Sequence, residues 1–364
     1  MRTHNFNAGP AVLPLSVLEK AQQELLDFQG TGMSVMELSH RSKAFESVLA
    51  RAENGIRELL NVPENYAILF LQGGASLQFS MIPMNLALPN QPIDVFNTGV
   101  WSQKAIAELK KGTPYNVVAS SQDKNFSYIP DWKQATLNPD ASYVHVTSNN
   151  TIFGTQWQKF PETGDVPLVV DMSSDILSRP LDVSKFGLIY AGAQKNIGPS
   201  GVTLVIIRKD LVERAPTSLP TMLQYRTHVA DNSLYNTPPT FGIYMIALVT
   251  EWIKGLGGLS VLEKQNREKA ALLYDEIDRN PGFYAPTAVA DRSVMNVVFR
   301  ITGDREDLEN QFVKEAEAAH LVGLKGHRSA GGLRASIYNA LPKASVEALV
   351  SFMQNFSKTH GLSH

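Results

Sequence analysis

The chain has 364 residues, 43% of them hydrophobic and 19% charged, which is enough for one large hydrophobic core and a second, smaller one. Its net charge of −2 gives no basic footprint for nucleic acid or an acidic membrane, and the absence of cysteine excludes disulfides, thiolate metal sites and thiol nucleophiles. No segment is apolar enough to span a bilayer and the first residues lack the apolar stretch of a signal peptide, so a cytoplasmic protein is expected.

In chain order, Ser16-Val-Leu-Glu19 carries the spacing of a capping box and predicts an amphipathic helix to about residue 28. Phe45, Val48, Leu49, Ala52, Ile56, Leu59 and Leu60 keep helical spacing until Asn61-Val-Pro63 ends the run. Residues 66–71 read as a buried strand, followed by Gln72-Gly-Gly-Ala-Ser76 and another helix. Further strands are predicted at 93–97, 115–119, 143–147, 168–171, 188–191 and 203–207. This alternation predicts an α/β fold with a doubly wound, mostly parallel sheet. The glycine-rich stretch 254–258 marks a domain boundary. Beyond it, a helix, a strand at 295–301, a helix at 306–319, a strand at 333–337 and a helix at 346–356 suggest a smaller α+β domain.

Ligands of open α/β sheets bind beyond the carboxyl ends of the strands. Lys195 follows one predicted strand in Gly192-Ala-Gln-Lys195-Asn-Ile-Gly-Pro199, and Asp171 ends another. An ammonium at the end of a buried strand is costly unless something uses it. Lysine and carboxylate in one crevice suit pyridoxal phosphate, with lysine as Schiff base and aspartate on the pyridinium nitrogen. The competing reading is a surface lysine and a capping aspartate. Gly73 to Ser76 open a helix where free N–H groups can hold a phosphate, although two glycines also serve as plain turn chemistry. Trp101 reads as a ring-stacking indole or a half-buried core residue, and Ser148 to Thr151 as ring-hydroxyl ligands or an ordinary polar loop. No dinucleotide, Walker, zinc-protease or serine-hydrolase motif is present.

Asn7-Ala-Gly-Pro10, Ser39-His-Arg41, Gln72 to Ser76, the run from Asp171 to Pro180, Gly192 to Pro199, Asn236-Thr-Pro-Pro239, Gly326-His-Arg328 and Gly332 to Asn339 together resemble the phosphoserine aminotransferase family, in order and over essentially the whole chain. The resemblance implies a fold-type I, class-V, pyridoxal-phosphate-dependent homodimer. It would have an N-terminal segment (1–15) associated with the active site and small domain, a large domain (16–256) and a small domain (257–364). The implied reaction exchanges an amino group between L-glutamate and 3-phosphohydroxypyruvate, giving O-phospho-L-serine and 2-oxoglutarate. That is a step of serine synthesis and, in many bacteria, of pyridoxine synthesis.

By position, the resemblance makes Lys195 the Schiff-base lysine and proton carrier, Asp171 the partner of the pyridine nitrogen, Trp101 the stacking ring and Thr151 the ligand near the phenolic oxygen. Gly74, Ala75, Ser76 and Gln194 would hold the cofactor phosphate, joined by Asn236 and Thr237 from the second subunit. Arg334 would take the α-carboxylate, and His40, Arg41, His327 and Arg328 the distal anion, for which the planar arginine fork is suited. Ser76 stands where some members have an arginine, leaving fewer cations for the substrate phosphate. Asn150 stands where the family commonly has a glutamate. Two alternatives share part of this pattern. A related class-V enzyme acting on alanine, serine or glyoxylate would not need the histidine–arginine pairs, and a non-catalytic pyridoxal-phosphate-binding module would come with a DNA-binding segment that this chain lacks.

Overall fold

The computed structural model describes residues 2–288 and 290–361. Its centre is a seven-stranded sheet of β1 (Tyr66–Leu71), β2 (Ile93–Asn97), β3 (Tyr115–Ser120), β4 (Val144–Thr147), β5 (Leu168–Asp171), β6 (Leu188–Gly192) and β7 (Thr203–Arg208). The spatial order is β1-β7-β6-β5-β4-β2-β3. Six strands run the same way, and only β7 is antiparallel to both its neighbours. The carboxyl ends of β1, β2, β4, β5 and β6 therefore share one edge of the sheet.

Alternate residues of the strands feed two cores. Ile68, Phe70, Val146, Val170, Ile189 and Ile206 pack on α2 (Lys43–Leu60) and the apolar helix Thr240–Gly255. Leu69, Val95, Val169, Tyr190 and Val205 face α3 (Gly74–Leu86) and α4 (Val100–Leu109). Strands buried on both faces carry near-continuous apolar runs, as β1 does with all six residues buried. With α1 (Leu15–Gln23) preceding α2, Thr240–Gly255 becomes α5.

A glycine turn separates α5 from α6 (Leu259–Arg279), and the two axes meet at 86°. Among the described residues no single helix is long and apolar enough to cross a membrane. Helix α6 begins a second core, which it shares with α7 (Glu306–Ala318), α8 (Lys343–His360) and an antiparallel sheet of β8 (Tyr284–Pro286), β9 (Asn296–Ile301) and β10 (Leu333–Ser336). The beginning of the chain belongs to this core as well. His4 and Asn5 pair in parallel with Leu321 and Val322, and Phe6 is fully buried among the α6 and β9 side chains.

Helix α1 differs from the sequence expectation at both ends. Pro14, not Ser16, is its N-cap, and Leu18 N–H reaches Pro14 O at 3.2 Å, so Ser16 and Glu19 lie inside the helix and form no capping box. Proline's fixed φ already suits chain entry, and the helix starts early. It stops at Gln23 because Glu24 turns inward to accept Tyr244 O–H at 2.6 Å. Asp27 then accepts Gly32 N–H at 2.7 Å in a turn that seats Phe28 edge-on to Tyr244, outside any helix. Helix α8 is longer than expected because its first turn, after Pro342, carries little apolar periodicity to read.

Candidate active site

The site grows from strand ends held in register. Asp171 closes β5, opposite Thr147 of β4 and Tyr190 of β6. Its carbonyl accepts both Ser148 N–H and Ser148 O–H at 2.9 Å, and its carboxylate accepts Ser173 N–H at 2.9 Å. Ser173 in turn accepts Gly192 N–H at 3.1 Å, tying Asp171 to the strand that leads into the lysine loop. That loop is pinned at its base by Ala193 N–H to Val202 O at 2.9 Å. Lys195 projects from it to donate to Thr151 Oγ1 at 3.0 Å, with its Nζ 5.0 Å from the centre of the Trp101 ring. Gly9 lies so close that a Cβ there would stand 3.2 Å from Lys195 Cγ, and Ala11 N–H bonds Gln194 O at 2.8 Å. The N-terminal segment is thus packed against the lysine.

The electrostatics are those of a buried pair. Burial pulls the Lys195 ammonium down to about 8; Asp171 opposes the shift and Arg334 adds to it. Burial pushes the Asp171 carboxyl above the usual aspartate range, against the pull of the Lys195 charge and the Ser173 hydrogen bond. A base whose pKa sits near neutrality is a good nucleophile toward a carbonyl. Asp175, one helical turn on, accepts from Ser148 and, at 3.0 Å, from Gln156 Nε2.

Sequence reasoning also points to Gly74, Ala75 and Ser76, which form the first turn of α3 beside this edge, with no acidic residue there to repel an anion. Gly73 before them has φ +87°, and a Cβ on it would meet Leu77 Cβ at 2.6 Å, so the turn requires glycine. Trp101 lies in the first turn of α4, and its buried Nε1 has no hydrogen-bond partner among the described residues. Arg334 of β10 donates to Thr151 O at 3.5 Å, while its buried Nε likewise has none among the described residues. An aromatic wall, a glycine cradle, a free indole N–H and a half-satisfied guanidinium around Lys195 and Asp171 suit a phosphorylated pyridine aldehyde and an acidic substrate. No group of histidine, aspartate or glutamate fit to hold a metal ion occurs among the described residues.

His327 lies within reach of the Arg334 charge, whereas Arg328 beside it is exposed. Burial, then the charges of Arg334, Arg328 and Lys104, holds the His327 imidazole below its usual value, and Ser329 bonds its Nδ1 at 2.7 Å. His40 and Arg41 are not joined to the cluster by any hydrogen bond or ion pair among the described residues, and Arg41 is exposed. Asn236 Nδ2 and Gln72 Nε2 both donate to Thr237 O, at 3.2 and 3.3 Å, which sets these residues at the end of β1 of their own chain.

The structure supplies an account of Asn150. Its amide bridges Thr98 O–H (3.3 Å) and Thr155 Oγ1 (2.9 Å), and a Cβ at Gly99 would stand 2.8 Å from its Oδ1. The neutral, doubly bonded amide fits this tight buried corner between β2 and the Thr151 turn. Sequence reasoning missed Asp175, Asn196 and Asn339. Asn196 accepts Asn339 N–H at 3.0 Å, a link between the lysine loop and the second core that no local pattern announces. A cavity of about 1060 Å³ at the opposite ends of β5 and β6 is lined by Phe160, Phe186 and Arg208, whose charge is already neutralised by Asp210 at 2.6 Å. It presents no comparable constellation.

The aminotransferase class-V family profile matches residues 3–349. A phosphoserine aminotransferase of Geobacillus kaustophilus is 59% identical over 358 residues, covering 98% of this chain and 99% of the relative. The solved phosphoserine aminotransferase of Bacillus circulans subsp. alkalophilus superposes with a TM-score of 0.97 at 54% identity, covering 99% of each chain. A pyridoxal-phosphate-bound phosphoserine aminotransferase from Trichomonas vaginalis superposes with a TM-score of 0.92 at 42% identity, covering 97% of this chain and 100% of that one.

Proposed function

The chain belongs to the class-V aminotransferase family, and from that premise we propose that it moves an amino group between L-glutamate and 3-phosphohydroxypyruvate with pyridoxal phosphate as cofactor. The observation that carries this is Lys195, half-buried and within reach of the charge of buried Asp171, 3.0 Å from Thr151 and 5.0 Å from the centre of the Trp101 ring. When bound, the cofactor supplies a reactive aldehyde and a ring that accepts the electrons released at the substrate Cα.

The chain's own residues do the rest. The Lys195 amine, its pKa lowered to about 8, would hold the cofactor and, as a free base, would remove and return the proton at the substrate Cα. Asp171 would lie against the pyridine nitrogen of the bound cofactor and keep it protonated. Ser173 N–H and Ser148 keep Asp171 in place. Trp101 forms one wall of the ring slot. The first turn of α3, with Gln194, binds the cofactor phosphate through N–H groups at the helix terminus. Arg334 aligns the substrate α-carboxylate through its Nε edge, which has no partner among the described residues.

His327 and Arg328 bind the distal anion, with His40 and Arg41 completing that subsite. We propose a homodimer in which Asn236 and Thr237 of one subunit reach the cofactor phosphate of the other. In support, exposed Met33 and Met36 precede Arg41, and exposed Met222 and Tyr235 flank the Asn236 segment, which are apolar surfaces that call for a cover. The reaction belongs to serine synthesis, and use of the related pyridoxine-pathway substrate and a cytoplasmic location are part of the same proposal. The deciding test is the absorbance of the purified yellow enzyme titrated with glutamate and then with 3-phosphohydroxypyruvate. Bleaching by the first and recovery with the second is expected, and turnover of alanine as efficient as that of phosphoserine would overturn the assignment.

A further inference from the structure

Lys269 of α6 is 3% exposed, and among the described residues no carboxylate pairs with it. Its Nζ lies instead among four backbone carbonyl oxygens, those of Ile337 (3.0 Å), Tyr338 (2.7 Å), Asn339 (3.3 Å) and Leu341 (3.1 Å). Burial pulls this ammonium down to about 7. The cage works the other way: a neutral amine has only two N–H groups for four acceptors, whereas the ammonium has three and a charge for all four dipoles to face. Four carbonyls converging on one point repel each other unless a cation sits between them.

The caged turn is bonded to three of the segments that carry the active site. Asn339 N–H bonds Asn196 Oδ1 at 3.0 Å, directly beside Lys195, and Asn339 Nδ2 bonds Leu177 O at 2.8 Å on the segment that follows Asp171. Tyr338 O–H holds Ala8 O at 2.6 Å in the N-terminal segment packed on Lys195. Arg334 lies three residues before the first caged carbonyl, on the strand that leads into the turn. One helical turn before Lys269, Asn266 Nδ2 adds a bond to Asn339 Oδ1 at 2.9 Å.

We propose that Lys269 is a positioning residue, a built-in monovalent cation whose carbonyl cage shapes the 337–341 turn and so fixes Arg334 and the Lys195 loop relative to each other. It touches neither substrate nor cofactor. The inference rests on the transamination reading only for its kinetic consequence.

The absence of cysteine makes the charge separable from the shape. In Lys269→Cys the new thiol, alkylated in denaturant with 2-bromoethylamine, regains a side chain of lysine length ending in an ammonium. Alkylation with 1-bromopropane gives the same shape ending in a methyl group. After refolding with pyridoxal phosphate, the ammonium adduct should match the wild type carried through the same steps. In the propyl adduct the Asn339 amide should exchange roughly tenfold or more faster, because the turn it belongs to loses its central bonds. Its kcat/KM should fall by a similar factor for glutamate and phosphoserine alike. Lys269→Met, made without chemistry, should behave as the propyl adduct does.

Equal behaviour of the two adducts, including equal failure to refold, would overturn the proposal, as would wild-type exchange at Asn339 in Lys269→Met. Amide exchange needs no turnover, so a failed substrate assignment and a failed cation assignment give different results.

Discussion

Lys195 is charged in the unfolded chain up to its ordinary pKa of 10.5, but in the cofactor-free fold it gives up its proton near 8, mainly through burial. Between those values the unfolded chain binds more protons, so this residue makes stability rise with pH across that window and depresses it fully below. Urea unfolding of the cofactor-free protein at pH 7.5 and 10.5 should show a larger gain with pH for wild type than for Lys195→Met; every other titrating group is common to both and cancels. Lys195→Ala should also abolish steady-state transamination, and turnover near the wild-type rate would remove the residue from its role. Asp171→Asn should retain cofactor while slowing Cα deprotonation, measured as a slower half-reaction with glutamate. The two arginines should separate by substrate. Arg328→Ala should cost phosphoserine more than about tenfold in kcat/KM, since truncating one side of a desolvated charge pair typically costs ~2–5 kcal/mol, and glutamate less. Arg334→Ala should impair both. At this scale much of the arrangement around Lys195 was legible, because a lysine and an aspartate at apolar strand ends are expensive and therefore informative. Asn196 and Asn339 were not, because asparagine is unremarkable in a loop until the fold shows what it bonds.

The strands of the central sheet were legible as apolar runs, and so were α2 and the helix that follows β1; from β3 to β7 the alternation lapses, and among the described residues those strands are joined by loops and single 3-10 turns. The direction of β7 was not. A strand buried on both faces reads the same in either orientation, and only the pairing of Thr203 with Gly192 and Leu71 reveals it. Helix α1 shows the converse error, a local Ser-x-x-Glu pattern overridden by a proline two residues earlier. Helix packing brings its own constraint. Gly55 of α2 faces Thr250 of α5, where an added Cβ would stand 2.1 Å from the threonine Oγ1. Gly55→Ala should therefore force the helices apart and cost about 1–3 kcal/mol, despite alanine's better helix propensity. Thermal unfolding would register this as a lower Tm with cofactor affinity unchanged. A Tm at or above that of the wild type would mean that Thr250 rotates away freely.

At the scale of the whole molecule, sharing of residues between subunits can be tested by mixing defects. Lys195→Ala chains combined with chains carrying Asn236→Ala and Thr237→Ala should regain roughly a quarter of the wild-type activity if those residues cross a twofold interface, because half of the dimers then hold one intact site. No recovery would mean that every site carries one of the two lesions, with Asn236 and Thr237 serving their own chain. A different consequence follows from the pairing of His4 and Asn5 with Leu321 and Val322 and the burial of Phe6 beside β9. On the ribosome the strand that the Phe6 segment pairs with is made roughly 300 residues after that segment, about 15–60 s later at ordinary rates of synthesis. Throughout that interval His4 and Asn5, which anchor the segment that packs on Lys195, lack their paired strand. The central sheet can form while the cover of the lysine loop is still unanchored, so the capacity to hold the cofactor tightly arrives only once residues 321 and 322 have been made.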